Sequence, residues 1–161
     1  MGCGFFALPT RVAALRGAWP SCASDGCCMA LAAVRKHVAG QPEEALVDVC
    51  TVDWGEREEA IGWFEVILIA DVIYDITAGI TLAKCCARLL QSERPDGEVS
   101  PCVIGVLSVG RAGVPEFLAT MRSLGFIAKE LVLDSEVQLG ADALWDAVIP
   151  GKYSGLLQGG E

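Results

Sequence analysis

Residues 63–75 read Trp-Phe-Glu-Val-Ile-Leu-Ile-Ala-Asp-Val-Ile-Tyr-Asp. After Glu65 the segment is apolar as far as Ala70, which is typical of a parallel strand covered by helices on both faces. Asp71 and Tyr74 follow directly after the predicted end of that strand. Because ligands of open parallel sheets lie at the carboxyl ends of the strands, this segment predicts both a central strand and a functional position.

Strand and helix patterns alternate along the rest of the chain. Helices are predicted where apolar residues recur at spacings of three and four, and strands where short apolar runs lie between turn residues. This alternation predicts an α/β fold: a Rossmann-like, mostly parallel sheet with helices on both faces and a C-terminal antiparallel hairpin. The predicted helices are 7–16, 28–38, 77–90 and 114–124, and the predicted strands are 19–24, 45–52, 64–70 and a second buried strand at 103–109, with hairpin strands at 126–133 and 143–149.

Length and charge narrow the classes of function. The 161 residues fit one domain, assigned to residues 1–150, followed by a loosely held, glycine-rich tail at 151–161. The chain carries 12 basic and 21 acidic side chains, a formal net charge of −9. Nucleic-acid binding is not expected, because phosphate contacts need a basic face. No apolar run reaches the length of a membrane span, so we expect no membrane contact and a location in the cytoplasm or nucleus.

Eight cysteines and one histidine limit the chemistry available to the chain. The thiols are expected to be reduced and at least half-buried, as in a cytosolic protein. No Cys-x-x-Cys pair occurs, so no metal site is predicted. His37 lies at the end of a helical pattern among charged residues, where a solvated side chain is a simpler interpretation than a Ser-His-Asp triad.

Three short motifs lie where ligands of such a sheet bind. Gly2-Cys3-Gly4 precedes a helix and lets backbone N–H groups approach a ligand closely, although an ordinary glycine turn has the same sequence. Asp25 comes 21 residues further on, at the spacing of a carboxylate that binds a ribose diol, and it also suits a helix N-cap. Asp53 and Trp54 follow the strand 45–52, where they suit an adenine, or where the indole covers the core.

Residues 63–75 resemble the segment that follows the fourth strand of class I, seven-β-strand, S-adenosylmethionine-dependent methyltransferases. The similarity is greatest to the branch that methylates protein lysines, whose Asp-x-x-Tyr pattern is matched by Asp71 and Tyr74. Two further features are similar to that branch. One is Asp53-Trp54 at the end of a strand, and the other is a later pattern formed by Arg111, Phe117-Leu118 and Gly125-Phe126. The resemblance extends from Gly2 to about Ile149.

The resemblance implies a set of cofactor-binding positions. Gly2, Cys3 and Gly4 would form the loop under the amino-acid moiety of S-adenosylmethionine. Asp25 would bind the ribose hydroxyls, Asp53 and Trp54 would frame the adenine, and Ala70 would lie under the cofactor. In the family a strand precedes the glycine loop, whereas here Met1 comes directly before Gly2, so the resemblance implies an N-terminally truncated sheet that lacks its first strand.

The same resemblance places Asp71 and Tyr74 in the channel of the acceptor lysine, which would be exposed on a protein substrate. That lysine must lose a proton it holds with a pKa of about 10.4. A carboxylate and a phenol can orient the ammonium, while an apolar slot lowers its pKa. The predicted function is therefore methylation of a protein lysine from S-adenosylmethionine, without a metal.

Two alternatives stay open. A catalytically inactive relative would keep the sheet and serve as a binding module, since fold alone does not fix function. A nicotinamide-dependent oxidoreductase would need the third glycine of the dinucleotide fingerprint, where this chain has Phe5 and Phe6 instead.

Overall fold

The computed structural model describes residues 1–42, 44, 46–55, 62, 64–91, 101–108 and 110–130. The chain divides into two compact units, Met1–Ala128 and Lys129–Glu161, and every helix and strand described below belongs to the first. Residues 126–130 have no regular structure. The rest of the predicted hairpin, 131–133 and 143–149, and the predicted tail 151–161 lie outside the described residues.

Helices and strands alternate as the sequence predicts, so the fold is mixed α/β. The elements are α1 Leu8–Leu15, β1 Ser21–Asp25, α2 Cys28–Val38, β2 Val47–Thr51, β3 Val66–Ala70, α3 Ile76–Gln91, β4 Cys102–Val106 and α4 Gly113–Ser123. Each has its predicted counterpart, and α2 has the predicted bounds. None of these described helices is long and apolar enough to cross a membrane.

The strands form two parallel pairs rather than one continuous sheet in the described part of the chain. In the first pair Ser21 of β1 lies opposite Val47 of β2. In the second pair Val66 of β3 lies opposite Cys102 of β4. Parallel pairing is what the order of elements predicts, but a single Rossmann-like sheet stays a prediction.

The first three residues lie between the two strand pairs. The Met1 amine donates a hydrogen bond of 2.7 Å to the Leu68 carbonyl of β3. The Cys3 N–H donates one of 2.9 Å to the Ser24 carbonyl of β1. The N-terminal segment thus connects the pairs through hydrogen bonds on both sides. Burial lowers the pKa of the Met1 amine below its ordinary value of 8.0.

Two apolar cores support the strand pairs. The larger core is formed by β3, α3 and α4, and its most buried side chains include Ile73, Leu82 and Leu90. The smaller core lies under α1 and α2 and includes Ala23, Val34 and Val47. In the larger core, α3 and α4 meet backbone to backbone. A Cβ added at Gly79 of α3 would collide with the main chain of Gly113 of α4.

The predictions that β3 is covered on both faces and that β4 is buried are wrong. In β3, Ile67 and Ile69 are buried while Val66 is exposed. In β4, Ile104 and Val106 are exposed, Val106 by 73%. Successive side chains of a strand point to opposite faces, and here only one face of the pair is packed against the larger core.

The cysteines also differ from the prediction. Cys22 of β1 and Cys50 of β2 are joined by a disulfide, with Cα atoms 6.9 Å apart, so the expectation of eight reduced thiols is wrong. The parallel register brings the two cysteines near each other: Cys50 lies opposite Ser24, and Ser24 is two residues after Cys22 on the same strand. Cys85 and Cys86 are buried as expected, whereas Cys27 and Cys28 are exposed at the start of α2.

Candidate functional site

A cleft of about 400 Å³ lies between the ends of β1 and β2 and the first turns of α3. This volume is within the range of small-molecule sites, roughly 300–1,000 Å³. Its lining comes from three segments that each follow a strand. The lining residues are Asp25, Gly26, Val52, Asp53, Trp54, Gly55, Asp75, Thr77, Ala78 and Thr81.

Asp25 anchors the two turns beside the cleft. Its Oδ2 accepts the Gly4 N–H at 3.0 Å, and its Oδ1 accepts the Cys27 N–H at 2.9 Å. The N-cap of α2 is Cys27, so Asp25 stabilises the turn before the helix instead of capping it. A carboxylate offers about four acceptor positions, which leaves capacity for the hydroxyl groups of a ligand.

The glycine turn requires glycine at both Gly2 and Gly4 because of its backbone conformation, and at Gly2 also because of the neighbouring side chains. Both adopt a left-handed backbone conformation, with φ of 61° and 59°. A Cβ at Gly2 would also lie 2.8 Å from Cγ1 of Val72 and 3.4 Å from the Trp54 ring, whereas Gly4 faces open space. The turn therefore borders the cleft, because Gly2 lies close to the Trp54 ring and the Gly4 N–H donates a hydrogen bond to Asp25.

Cys3 contributes its backbone to this turn and its side chain to the smaller core. Burial, followed by the negative charge of Asp25, raises the pKa of the Cys3 thiol above its ordinary value. A thiol that resists deprotonation is a poor nucleophile. Cys3 accordingly has a structural place in the predicted glycine loop.

Asp53 and Trp54 both line the cleft, as the predicted adenine position requires. The Asp53 Oδ1 accepts the Gly55 N–H at 2.8 Å, which fixes the turn after β2. The Trp54 carbonyl accepts a hydrogen bond of 3.3 Å from the Arg88 guanidinium. Its half-buried ring also packs against the larger core, as the interpretation that the indole covers the core predicts, while binding of an adenine stays a prediction.

The start of α3 supplies cleft residues that the sequence analysis missed. Asp75 caps the helix, with its Oδ1 accepting the Ala78 N–H at 2.8 Å. Thr77 and Thr81 face the same cleft, and the Thr81 hydroxyl donates to the Thr77 carbonyl at 2.6 Å. An aspartate that follows a strand and precedes a helical pattern is an N-cap signal, and it could have identified this wall.

The cleft lining has a negative charge. Asp25, Asp53 and Asp75 contribute three carboxylates, and the described lining residues include neither lysine nor arginine. Carboxylates that face a shared cavity attract cations and repel anions. The electrostatics thus favour a ligand with a positive group over one with a phosphate.

Asp71, Tyr74 and Arg111 form a second group of side chains, here termed the Asp71 cluster. Asp71 has a left-handed backbone, φ 46°, and its N–H donates to the Val106 carbonyl at 2.8 Å. Its Oδ2 accepts the Arg111 Nη2 at 3.1 Å, and the Arg111 guanidinium lies 4.7 Å from the centre of the Tyr74 ring. Arg111, 40 residues away in sequence, is a cluster member that the motif alone does not reveal.

The structure thus brings together most of the predicted cofactor residues, but not all predicted site residues. Asp25, Asp53 and Trp54 line the cleft, and Gly2, Cys3 and Gly4 form the turn beside it. Ala70, Asp71 and Tyr74 are exposed and do not belong to the described cleft lining. The two groups are linked through the chain, since Val72 lies beside Gly2, where an added Cβ would collide with it, and Asp75 lines the cleft.

No protein-family model, no curated protein and no solved structure matches the chain.

Proposed function

We propose that this protein binds S-adenosylmethionine in the cleft and transfers its methyl group to a lysine side chain of a protein substrate. The observation that carries the proposal is the composition of the cleft: a ribose-type carboxylate, an aromatic face and an acidic lining at the ends of parallel strands. Asp25, Trp54 and Asp53 supply these features. The identity of the substrate class rests on the resemblance of residues 63–75 to lysine methyltransferases.

The residues around the cleft fit this cofactor. Asp25 has acceptor capacity for two ribose hydroxyls, and the Trp54 ring offers a face for adenine. The three carboxylates suit a cofactor whose sulfonium and ammonium outweigh its single carboxylate, so that its net charge is positive. They disfavour a nicotinamide dinucleotide, whose pyrophosphate would lie against negative charge. The acidic lining thus argues against the oxidoreductase. This argument is independent of the missing third glycine.

The Asp71 cluster provides groups that could align a lysine. When bound, S-adenosylmethionine supplies a sulfonium methyl group: an amine would attack the methyl carbon in line with the carbon–sulfur bond, which breaks as S-adenosylhomocysteine leaves as a neutral thioether. The Asp71 carboxylate would accept hydrogen bonds from the incoming ammonium and hold its nitrogen in position. The ammonium must give up one proton, to that carboxylate or to water, before its lone pair can attack. The Tyr74 phenol would orient the same nitrogen through its oxygen.

Arg111 favours the alternative function, a binding module without turnover. Its guanidinium already contacts the Asp71 carboxylate and covers the Tyr74 ring, where an acceptor ammonium would bind. The two side chains are partly exposed, so this ion pair stabilises the arrangement by less than about 1 kcal/mol. An acceptor lysine would have to displace it, and in an inactive relative the pair would persist.

Cofactor binding is tested first by thermal shift and calorimetry. S-adenosylmethionine at 100 times its Kd should stabilise the folded chain by about 2.7 kcal/mol and raise its Tm. Asp25→Ala should weaken binding by about tenfold or more, because a charge-assisted hydrogen bond contributes roughly 1.5–3 kcal/mol. Asp48→Ala is the matched control, since Asp48 is an exposed aspartate of β2 outside the cleft. No response to S-adenosylmethionine, or a response to NAD instead, would refute the proposal.

Methyl transfer is tested separately with labelled cofactor and a library of lysine-containing peptides. Asp71→Ala should abolish transfer while cofactor affinity changes little, because Asp71 lies outside the cleft lining. Loss of cofactor binding in this variant would remove Asp71 from the acceptor role. Wild-type binding without turnover on any peptide would favour the binding module.

A further inference from the structure

A disulfide joins the two strands that carry carboxylates to the cleft. Cys22 of β1 is bonded to Cys50 of β2. Asp25 ends β1 three residues after Cys22, and Asp53 follows β2 three residues after Cys50. Beyond the cross-link, the Val52 N–H donates a backbone hydrogen bond of 3.1 Å to the Asp25 carbonyl. The bond between the cysteines therefore lies close to the edge of the cleft on both strands.

Exposed thiols occur in the same chain as this disulfide. Cys27, Cys28 and Cys102 are exposed and carry free thiols. In reducing surroundings, where exposed thiols persist, a disulfide is usually transient, catalytic or redox-sensing. Cys22 and Cys50 are both half-buried rather than enclosed, so the thiolate of a reductant can reach a sulfur of the bond. These features favour a bond that changes its oxidation state over a permanent framework.

The surroundings of Cys22 leave room for the two sulfurs to separate. Sulfurs that are no longer bonded move apart to van der Waals distance, on the order of the roughly 3.5–4.0 Å found between non-bonded heavy atoms. A cavity of about 40 Å³ lies beside Cys22, and Met1, Ser24 and Val52 also line it. Val52 lines the cleft as well. A shift of Cys22 into this cavity would therefore be felt at the cleft edge.

We propose that the Cys22–Cys50 disulfide is a reversible redox switch that fixes the cleft edge when oxidised and loosens it when reduced. The reductant is a dithiol. One of its thiolates attacks a cysteine sulfur to form a mixed disulfide, and its second thiol then releases the protein. The two hydrogens of the dithiol end on the two cysteines, and the reductant becomes an intramolecular disulfide.

The reverse step needs a small-molecule disulfide such as oxidised glutathione. It takes up the two hydrogens of the cysteine thiols and leaves as two thiol molecules, while the bond between Cys22 and Cys50 forms again. As a control of methyl transfer the switch rests on the proposed function. As a change in the order of the cleft edge it does not, because no ligand is needed to observe it.

Differential alkylation tests whether the folded chain releases the two thiols. Exposed thiols are blocked with N-ethylmaleimide, dithiothreitol is added, and new thiols are labelled with iodoacetamide and located by mass spectrometry. Cys22 and Cys50 should be labelled, whereas Cys85 and Cys86, which are buried in the larger core, should not. Oxidised glutathione, added in place of the label, should restore the bond. A bond that resists the dithiol, or that opens only when Cys85 and Cys86 are labelled too, would overturn the proposal.

Hydrogen exchange measures the order of the cleft edge without a ligand. The N–H groups of Gly4, Cys27 and Gly55 donate hydrogen bonds to the carboxylates of Asp25 and Asp53. Exchange of these three amides, measured by NMR, should be at least about tenfold faster in the reduced chain than in the oxidised chain. Amides in the middle of α4 are the internal control and should change by less than about twofold. Equal exchange at the cleft edge in the two states would overturn the proposal.

Variants separate the bond from other effects of the reductant. A chain with both Cys22→Ala and Cys50→Ala should show the fast exchange with or without dithiothreitol. Cys102→Ala, at an exposed cysteine of β4, should respond to dithiothreitol like the wild type. If circular dichroism shows that the double variant is unfolded, the two states of the wild type decide. A folded double variant that exchanges like the oxidised wild type would overturn the proposal.

Calorimetry with S-adenosylmethionine distinguishes this proposal from the proposed function. The oxidised chain should bind the cofactor at least about tenfold more tightly than the reduced chain, a difference of about 1.4 kcal/mol. Equal affinity in the two states would overturn the switch, even though the cofactor binds. Cleft amides that respond to reduction in a chain that binds no S-adenosylmethionine would support the switch and refute the cofactor.

Discussion

Asp71 shows how a single residue can join two parts of the chain. A left-handed backbone is uncommon for a residue with a side chain, and aspartate is among the types that tolerate it best. Here it occurs directly after β3, and the turn brings the carboxylate to Arg111. The Asp-x-x-Tyr motif predicts that Asp71 and Tyr74 are important. It carries no information about the arginine, because that partner is set by the packing of distant loops.

The two glycines of the N-terminal turn should respond differently to alanine. Gly4→Ala should lower the free energy of unfolding by about 1–2 kcal/mol, the cost of a left-handed backbone for a residue with a Cβ. Gly2→Ala should cost about 1–3 kcal/mol more, because its Cβ would also lie 2.8 Å from Val72. Urea denaturation measures both values. Equal losses would mean that Val72 moves aside without penalty.

The helices α3 and α4 meet backbone to backbone at Gly79. Alanine favours a helix over glycine by up to about 1 kcal/mol. Nevertheless, Gly79→Ala should lower stability by about 1–3 kcal/mol, because the added Cβ would collide with the main chain of Gly113 and push the helices apart.

Lys84→Ala serves as the control for that substitution, since Lys84 is exposed on the same helix. Its effect on thermal unfolding should stay within about 0.5 kcal/mol. A Gly79→Ala protein as stable as the wild type would show that the interhelical contact yields without cost.

The sequence predicted the elements better than their environment. Apolar spacing and turn residues located all eight, because these are local signals. Burial is not local: β4, like β3, contains no charged or polar side chain apart from its cysteine, yet Ile104 and Val106 are exposed. Likewise, the apolar line that predicts α1 is not the buried side of that helix. Which face is covered depends on the elements that pack there, and the pattern alone does not supply them.

At the scale of the whole molecule, the strand-end rule predicted the cleft. Asp25, Asp53 and Trp54 are distant in sequence and converge because β1 and β2 are parallel neighbours whose carboxyl ends meet at one edge. The wall contributed by Thr77 and Thr81 depends on how α3 lies against that edge. This placement is tertiary, and no motif in the sequence encodes it.

The pH dependence of stability should reveal Cys86, which is buried in the larger core. Burial is the main cause that raises the pKa of its thiol from 9.0 to about 12. The folded chain therefore keeps a proton that the unfolded chain releases in this range, so the free energy of unfolding falls as the pH rises from 9.0 towards 12. The slope from this group is about 1.4 kcal/mol per pH unit.

Denaturation curves between these pH values, compared across variants, isolate that contribution. Cys86→Ala should show a shallower loss of stability with pH than the wild type. Cys27→Ala, at an exposed position, should keep the wild-type slope. If the free energy of unfolding fell equally with pH in all three proteins, the loss of stability at alkaline pH would come from ionisable groups other than Cys86.

Residues 1–3 are bonded to a strand on each side, Met1 to Leu68 of β3 and Cys3 to Ser24 of β1. A displacement of one strand pair against the other would therefore break at least one of these hydrogen bonds. The same residues lead into the turn that borders the cleft, so a displacement of this kind would also change the shape of the ligand site.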